Sequence, residues 1–442
     1  MHANADDFHL TASATPAALL PQTMNVKKEA PRRLAWIGSP SMGGVGGLTR
    51  LFVRELARAG VALDVYSQNE TSELEEFAGG RSSSRRFFAY PHSWNWNSWY
   101  GRNPKAAFAV SFAKRLRSYR RLVDQLVREH RVRPYDAVVQ FSQGELFALG
   151  RYAREIPIIL FPCVHAAGER YWCRAEEALA AQCEPWWWRR VRDFYLSYRA
   201  GLQRRDYHKA RGVIGMSRRF NRWVEKDYKV PAEKMGVVYH PIETAMPALE
   251  KAASNAVRRI RLLFVGRISV RKGLESLLEI LPALLNEEPE IEVTIIGGGS
   301  LWSNYEALLK DLPGNRCSWI KALPNDQVMM EMQRSDLLLI PSSYEPGGIV
   351  VGEALASGMV IVASDEVGSA ENLPPSVCHE FRARDRAGFH GAIRRALADV
   401  RVRGPELREE ARRTAQEQFN PSRMAGLLLS ECQRILGNGS AK

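Results

Sequence analysis

The 442-residue chain lacks long hydrophobic runs and is poor in cysteine. No apolar stretch approaches the roughly 20 residues that span a bilayer, and the first 30 residues contain no apolar core of the signal-peptide type. We therefore predict a cytoplasmic protein with a disordered tail over residues 1–31. The six cysteines include no Cys-x-x-Cys pair, which argues against a disulfide framework. Cys163, Cys173 and Cys183 are expected to be buried free thiols, with a metal site beside His165 as the alternative.

Acidic residues are scarce relative to basic residues in the first part of the chain only. Residues 1–250 hold 38 Lys and Arg against 25 Asp and Glu, whereas residues 251–442 hold 24 of each. The whole net charge of +13 therefore belongs to the first part, which also contains nine of the eleven tryptophans. A basic, Trp-rich half joined to a neutral half predicts two domains with different partners.

Two consecutive series of strand and helix patterns support this division. The first opens with the run LAWI, a Gly-rich loop and an amphipathic helix from Leu48, which is the start of a βαβ unit. The second starts at Arg261 after a small, polar, non-periodic stretch. Each series predicts a doubly wound parallel sheet. We expect an N-terminal domain over 32–245, a linker over 246–258, a C-terminal domain over 259–418 and a final helical segment over 419–442.

Two motifs carry the predicted chemistry, and each follows a strand of the second series. They are GRISVRKG, Gly266 to Gly273, and EPGGIVVGE, Glu345 to Glu353. The carboxyl ends of parallel strands are where open α/β sheets bind ligands. Free N–H groups at the start of the helix after Pro346 would bind an anion, and the cations of the first motif would add charge. The predicted anion-binding residues are Gly266, Arg267, Lys272, Gly348, Ile349 and Val350. The combination suits a diphosphate flanked by hydroxyl-bearing sugars.

These motifs resemble the retaining nucleotide-sugar glycosyltransferases of family 4, and supporting matches run from about residue 33 to 436. The resemblance implies a GT-B fold, in which two Rossmann-like domains face a central cleft and the C-terminal helix crosses back to the first domain. It implies a hexose transferred from a nucleotide-diphosphate sugar, with retention, to a glycan or lipid-linked acceptor. No Asp-x-Asp pair occurs, and the family is metal-independent, so neither a metal nor another cofactor is expected.

The resemblance also implies roles for individual residues. Arg267 and Lys272 would stabilise the leaving diphosphate, Glu345 would contact sugar hydroxyls and Glu353 would bind the ribose. The remaining implied site residues are Gly44 and Gly46, where the backbone would approach the phosphates, and His165, near the donor sugar and the acceptor.

The sequence departs from the family pattern in three places. Gly347 stands where an aromatic residue is common, and Tyr239-His240-Pro241 replaces the usual Pro-Asn-Gly. The third departure is the long and unusual segment 165–211, and the roles of its Glu169 and Arg170 are left open. For His240, contact with substrate and a structural role both remain open.

The basic half has open interpretations as well. Pro104–Arg133 and Trp186–Gly212 interleave arginine with aromatic residues, which suits peripheral contact with an anionic membrane or a solvated helix face. No nucleic-acid motif is present, and nucleic acid is not an expected partner. Two other functions remain at this point, a phosphorylase-like enzyme and a catalytically silent glycan- or membrane-binding scaffold.

Overall fold

A computed structural model describes residues 32–38, 44–68, 85–91, 104–243, 259–299, 305–310 and 312–437. The predicted tail over 1–31 and linker over 246–258 lie outside these residues. The described chain forms two parallel β-sheets, each flanked by helices. Among the described residues, no helix is both long enough and apolar enough to cross a bilayer.

The first sheet has seven parallel strands in the order β3-β2-β1-β4-β5-β6-β7. Leu34 of β1 pairs with Leu63 on one side and Ala137 on the other, and all three are buried, as expected for central strands covered on both faces. The strands are β1 (Arg33–Ile37), β2 (Ala62–Ser67), β3 (Arg85–Ala89), β4 (Ala137–Ser142), β5 (Ile158–Pro162), β6 (Gly212–Gly215) and β7 (Met235–Val237). The helices of this half are α1 (Gly44–Arg58), α2 (Pro104–Val132), α3 (Ala166–Ala175), α4 (Glu177–Cys183), α5 (Trp186–Lys209) and α6 (Arg218–Tyr228).

The second sheet has six parallel strands in the order β10-β9-β8-β11-β12-β13. The chain order reverses between β8 and β11, which makes their carboxyl ends a topological switch point where α/β proteins bind ligands. The strands are β8 (Ile260–Val265), β9 (Ile291–Ile296), β10 (Cys317–Ile320), β11 (Leu337–Ile340), β12 (Val360–Ser364) and β13 (Cys378–Phe381). The helices are α7 (Leu274–Glu287), α8 (Asn325–Arg334), α9 (Ile349–Ala356), α10 (Arg386–Gln418, kinked at Arg403) and α11 (Pro421–Gly437).

The α/β class and both doubly wound sheets confirm the predicted fold. Two of these strands, β3 and β13, were not predicted from the sequence. Both are edge strands of four or five residues, and β3 begins with Arg85 and Arg86. Edge strands need no continuous apolar run because only one of their sides pairs, so the pattern that reveals a buried strand is absent from them.

Helix α11 crosses back to the first sheet, as predicted. Met424, Leu428 and Ile435 are buried in the hydrophobic core of the N-terminal half, next to the strands and α1. The two halves are also joined directly by hydrogen bonds: Ser217 donates to the Pro346 carbonyl at 2.8 Å, and the Trp223 indole donates to Glu366 at 2.9 Å. These contacts hold the two halves against each other.

Candidate active site

Both sequence motifs lie at the carboxyl edge of the second sheet. The first follows β8 and the second follows β11, and these two strands are paired neighbours. Lys272 of the first motif forms an ion pair with Glu345 of the second. Two segments more than 70 residues apart in the chain thus meet at one point, because each motif follows the carboxyl end of a parallel strand and the two strands are neighbours.

The Lys272–Glu345 pair is charged. Burial would raise the pKa of the Glu345 carboxyl, but the charges of Lys272 and Arg271 outweigh it and hold the pKa below its ordinary value. Burial lowers the pKa of the Lys272 ammonium, and the positive charge of Arg271 lowers it further. The Glu345 charge raises this pKa but does not compensate, so the pKa ends below its ordinary value. The pair places an ammonium that can turn to a ligand phosphate beside a carboxylate that can accept from ligand hydroxyls.

Two arginines complete the cationic side of this site. Arg267 is exposed, and its guanidinium has no partner among the described residues. Arg271 is half-buried, donates to the Tyr344 carbonyl at 3.3 Å and lies 3.9 Å from the Glu169 carboxylate. Arg271 therefore holds the loop in place, whereas Arg267 is available for an anion.

The start of α9 offers backbone donors beside these cations. Gly348 adopts φ +61°, and a Cβ there would lie 2.5 Å from the Ser369 hydroxyl, so only glycine fits. The first hydrogen bond of the helix is donated by Val351 to the Gly348 carbonyl. The preceding N–H groups of Gly348, Ile349 and Val350 have no carbonyl one turn earlier to bond, and they favour an anion.

Glu353 lies one turn further along α9. Burial raises the pKa of its carboxyl to about 7, and within the described part of the chain its side chain has no hydrogen-bond or ion-pair partner. A half-buried carboxyl without a partner is costly in isolation. It is suited to a ligand that brings hydroxyl donors, which is the environment that a ribose would supply.

His165 is enclosed between the two halves. It follows β5 and precedes α3, and its side chain is fully buried. One ring nitrogen is hydrogen-bonded to the Tyr344 hydroxyl, and Nε2 lies 2.8 Å from the Asp227 carboxylate. Since both nitrogens bind protein groups, a sugar can reach this imidazole only if Tyr344 moves away.

The other predicted residues are placed as follows. Gly44 and Gly46 lie in the first turn of α1, next to residues 39–43, which are outside the described part, so their approach to a phosphate stays a prediction. Cys163, Cys173 and Cys183 are free thiols, as expected, but they are half-buried and not buried as predicted. In the ranges that the structure describes, no three His, Cys, Asp or Glu side chains group as metal ligands.

Comparison with known proteins agrees with this arrangement. The family model described as Glycosyltransferase Family 4 matches residues 42–246, and the model described as Glycosyl transferases group 1 matches residues 248–418. The chain belongs to the family 4 glycosyltransferases.

An uncharacterized glycosyltransferase of Methanocaldococcus jannaschii is 30% identical over 176 residues, covering 37% of this glycosyltransferase and 45% of the relative. The chain thus spans less than half of that curated relative.

Solved structures share the GT-B fold over nearly the whole chain. Sucrose-phosphate synthase from Thermosynechococcus elongatus superposes with a TM-score of 0.63 at 18% identity, covering 92% of this glycosyltransferase and 100% of that chain. The Anabaena protein HepE, solved in complex with UDP-glucose, gives a TM-score of 0.57 at 15% identity, with coverage of 93% and 100%. At these identities the likeness concerns the fold.

The N-terminal half of this glycosyltransferase has a pocket of its own, of about 240 Å³. Gln68 after β2 and Gln143 after β4 line it from the carboxyl edge of the first sheet, and α2 and α5 form its sides. The other lining residues are Arg115, Leu116, Tyr119, Glu145, Phe147, Tyr195, Tyr198, Arg199 and Leu202.

A chain of hydrogen bonds links the wall of this pocket to the residue after His165. The Glu145 carboxylate accepts from Gln203 at 2.9 Å, and Gln203 in turn accepts from the Ala166 N–H, next to His165, at 2.8 Å.

Sequence reasoning missed several residues of the site. Arg271 stands between Ile268 and Lys272 in the first motif, so its charge could have been noticed, but its contact with Tyr344 depends on the folded loop. Glu169 and Arg170, which had no assigned role, differ: Glu169 faces Arg271, whereas Arg170 pairs with Asp193 on α5 at 3.0 Å.

Proposed function

We propose that this glycosyltransferase moves a hexose from a nucleoside-diphosphate sugar to a glycan acceptor, with retention of configuration and without a metal ion. The observation that carries the proposal is the convergence of Arg267, Lys272, Glu345 and the start of α9 at one edge of the second sheet. This convergence supplies cations and N–H donors for a diphosphate, with carboxylates for sugar hydroxyls. The HepE complex supports a nucleotide donor, since that neighbour binds UDP-glucose.

The proposed reaction breaks the bond between the anomeric carbon and the diphosphate oxygen and forms a bond to an acceptor hydroxyl on the same face. The acceptor proton passes to the departing phosphate oxygen. Arg267, Lys272 and the α9 N–H groups stabilise the charge that develops on the diphosphate. Lys272 and the α9 N–H groups are already held by the fold, and together with Arg267 they can supply that stabilisation without a divalent ion.

A panel of UDP-, GDP- and ADP-sugars in a thermal-shift assay would identify the donor, since a ligand that binds only the folded state raises the melting midpoint. Turnover of that donor should survive EDTA, and NMR of the product should show the donor's anomeric configuration. Strict dependence on Mg²⁺ or Mn²⁺, or an inverted product, would contradict the proposal. Turnover also separates an enzyme from a silent scaffold.

We place the acceptor in the pocket between α2 and α5. Its glutamines, Gln68 and Gln143, can exchange hydrogen bonds with saccharide hydroxyls, and Tyr195 and Tyr198 offer ring faces. Tyr198→Ala should raise the acceptor KM while leaving hydrolysis of the donor in water unchanged. Loss of both activities would argue that the pocket does not hold the acceptor.

The N-terminal half also has a surface suited to an anionic membrane, and a lipid-linked acceptor would fit there. On α5, Trp187, Val191, Phe194 and Tyr198 are exposed at positions three or four residues apart, which places them along one stripe of the helix. Trp188, by contrast, is only 7% exposed and cannot take part.

The same half carries exposed cations, which are Arg115, Arg117, Arg120 and Arg121 on α2 and Arg190, Arg204 and Arg205 on α5, the helix that bears the stripe. Because Arg115 and Tyr198 both line the pocket, a bilayer on this surface would lie next to the acceptor.

A further inference from the structure

Two departures from the family pattern touch each other in the fold. His240 belongs to the segment that leaves β7, and Gly347 belongs to the loop between Glu345 and α9. A Cβ on Gly347 would lie 2.5 Å from the His240 Cε1 and 2.8 Å from its Nδ1. The imidazole, together with the Met216 Sδ at 2.6 Å, therefore occupies the space that any side chain at position 347 would need. The glycine and the histidine are two parts of one arrangement.

The segment that carries His240 is firmly held. The Ile242 N–H donates to the Phe419 carbonyl at 3.0 Å, and the Ile242 side chain packs against α9 at Gly352. Ser217 anchors the other side of the loop through the Pro346 carbonyl. His240 is thus positioned by rigid neighbours on both halves of the molecule.

Both ring nitrogens of His240 are without a partner among the described residues, although the residue is only 6% exposed. Buried polar atoms nearly always have a hydrogen-bond partner, so two nitrogens without a partner on one ring require an explanation. Burial lowers the pKa of this imidazole to about 4, and the ring is neutral near pH 7. A neutral imidazole has one donor and one acceptor nitrogen.

The chemistry of that ring selects its ligand. A phosphate oxygen could satisfy only the donor nitrogen, whereas sugar hydroxyls both donate and accept and could satisfy both. The ring lies beside the Glu345 loop, and the Glu345 charge acts on it directly. Since Glu345 is the proposed partner of the sugar hydroxyls, the missing partners of His240 are expected from the same sugar.

We propose that His240 contacts hydroxyls of the donor sugar from the place that a side chain at position 347 would otherwise occupy, and that it determines which hexose is accepted. This inference rests on the proposed nucleotide-sugar function. In this arrangement Glu345 approaches the sugar from the second sheet and His240 approaches it from the segment that joins the two halves.

The test compares the binding of the nucleoside diphosphate with that of the intact nucleotide sugar. The probes are UDP and UDP-glucose, or the matching pair for whichever donor wild type turns over. In His240→Ala and His240→Asn, the Kd of the free diphosphate should stay within twofold of wild type. The Kd of the sugar nucleotide should rise roughly tenfold, the effect of one lost hydrogen bond, and discrimination between UDP-glucose and UDP-galactose should fall by a similar factor.

Two further variants keep the test decisive. Gly347→Ala leaves the imidazole in the chain but displaces it, and we expect the same selective loss even if a His240 variant folds poorly. His379→Asn removes another buried histidine, 9% exposed on β13, and should leave both affinities and the sugar preference unchanged.

Unchanged binding of the sugar nucleotide in the His240 and Gly347 variants would overturn the inference and leave the proposed function intact. Equal losses of diphosphate and sugar nucleotide would also overturn it, because they would show a structural role. If wild type itself bound no nucleotide and turned over no donor, the proposed function would fail first.

Discussion

The two halves of this glycosyltransferase differ in how their sites are built. In the C-terminal half, Arg267 and Lys272 come from the segment that follows β8. Glu345 comes from the loop that follows β11, and Glu353 comes from α9 directly after that loop. In the N-terminal half, the pocket draws on residues between Gln68 and Leu202, from loops and two long helices. The proposed donor site is thus encoded in two short motifs, whereas the proposed acceptor pocket is assembled from segments far apart in the chain.

The largest expected effect concerns the C-terminal half, whose site is built from the two motifs. Arg267→Ala and Lys272→Ala should each lower kcat by about 100-fold or more, since each removes a charge directed at the leaving diphosphate. Steady-state turnover of the preferred donor is the measurement. Lys321→Ala, which removes an exposed lysine paired with Glu306, is the matched control and should turn over normally. Two folded variants with wild-type kcat would remove the basis for calling this half the donor site.

A second comparison separates the two carboxylates within that half. Glu353→Gln should weaken binding of the free nucleoside diphosphate by roughly tenfold, because a charged acceptor for ribose hydroxyls is lost. Glu345→Gln should mainly impair binding of the intact donor. Isothermal titration with both ligands distinguishes them, and identical diphosphate affinities in the two variants would disprove the ribose role.

The buried carboxyl of Glu353 also predicts a pH dependence of stability. Its pKa is about 7 in the fold against an ordinary value of 4.5, so the folded state binds the extra proton between these values. The stability due to this group is present below about pH 4.5 and is lost as the pH rises to about 7. The Tm of Glu353→Gln should therefore rise relative to wild type over that window and level off above it.

Glu306 provides the opposite sign as a control. A backbone hydrogen bond from Gly299 and the partner Lys321 lower the pKa of Glu306, so its stabilisation exists above its ordinary pKa and disappears as the pH falls. Glu306→Gln should lose Tm relative to wild type near neutral pH and approach it in acid. A flat Tm difference for Glu353→Gln across the window would contradict the predicted burial.

The smallest expected effect concerns membrane binding by the N-terminal half. Phe194→Ser and Trp187→Ser should each reduce co-sedimentation with phosphatidylglycerol vesicles severalfold, because they remove apolar area from the exposed stripe of α5. Val132→Ser changes an equally exposed apolar residue of the same half, away from the stripe, and should bind as wild type does. Binding should also weaken as salt rises, since the Debye length falls from about 10 Å at 0.1 M to about 3 Å at 1 M. Wild-type protein that stays in the supernatant at low salt would disprove membrane contact.

Much of the C-terminal site could be predicted from the sequence because its chemistry is local. Strand order brings β8 and β11 together, and a motif that directly follows a strand lies at the carboxyl edge of the sheet. The enclosure of His165 could not be predicted in this way, since it depends on Tyr344 and Asp227, which lie 179 and 62 residues away. The contact between His240 and Gly347 was equally hidden, although both positions stood out as departures from the family pattern.

The burial of Trp188 next to exposed Trp187 shows another limit. Three adjacent tryptophans predict an insertion site by composition, but a helix turns about 100° per residue, so neighbours in sequence face different directions. Trp187, Phe194 and Tyr198, at helical spacing, form one exposed stripe, and Trp186 is exposed as well.

The return of α11 to the first sheet has a consequence for how the protein is made. Met424, Leu428 and Ile435 fill the core around β6 and β7, and the Ile435 side chain stands 2.5 Å from where a Cβ on Gly212 would be. During synthesis the N-terminal half cannot complete its core until residues beyond 421 have left the ribosome. The apolar surface of the nascent first half therefore stays exposed while nearly two hundred further residues are translated. A fragment ending in the linker would keep that uncovered surface permanently, so neither half can be obtained as a native unit by one cut between them.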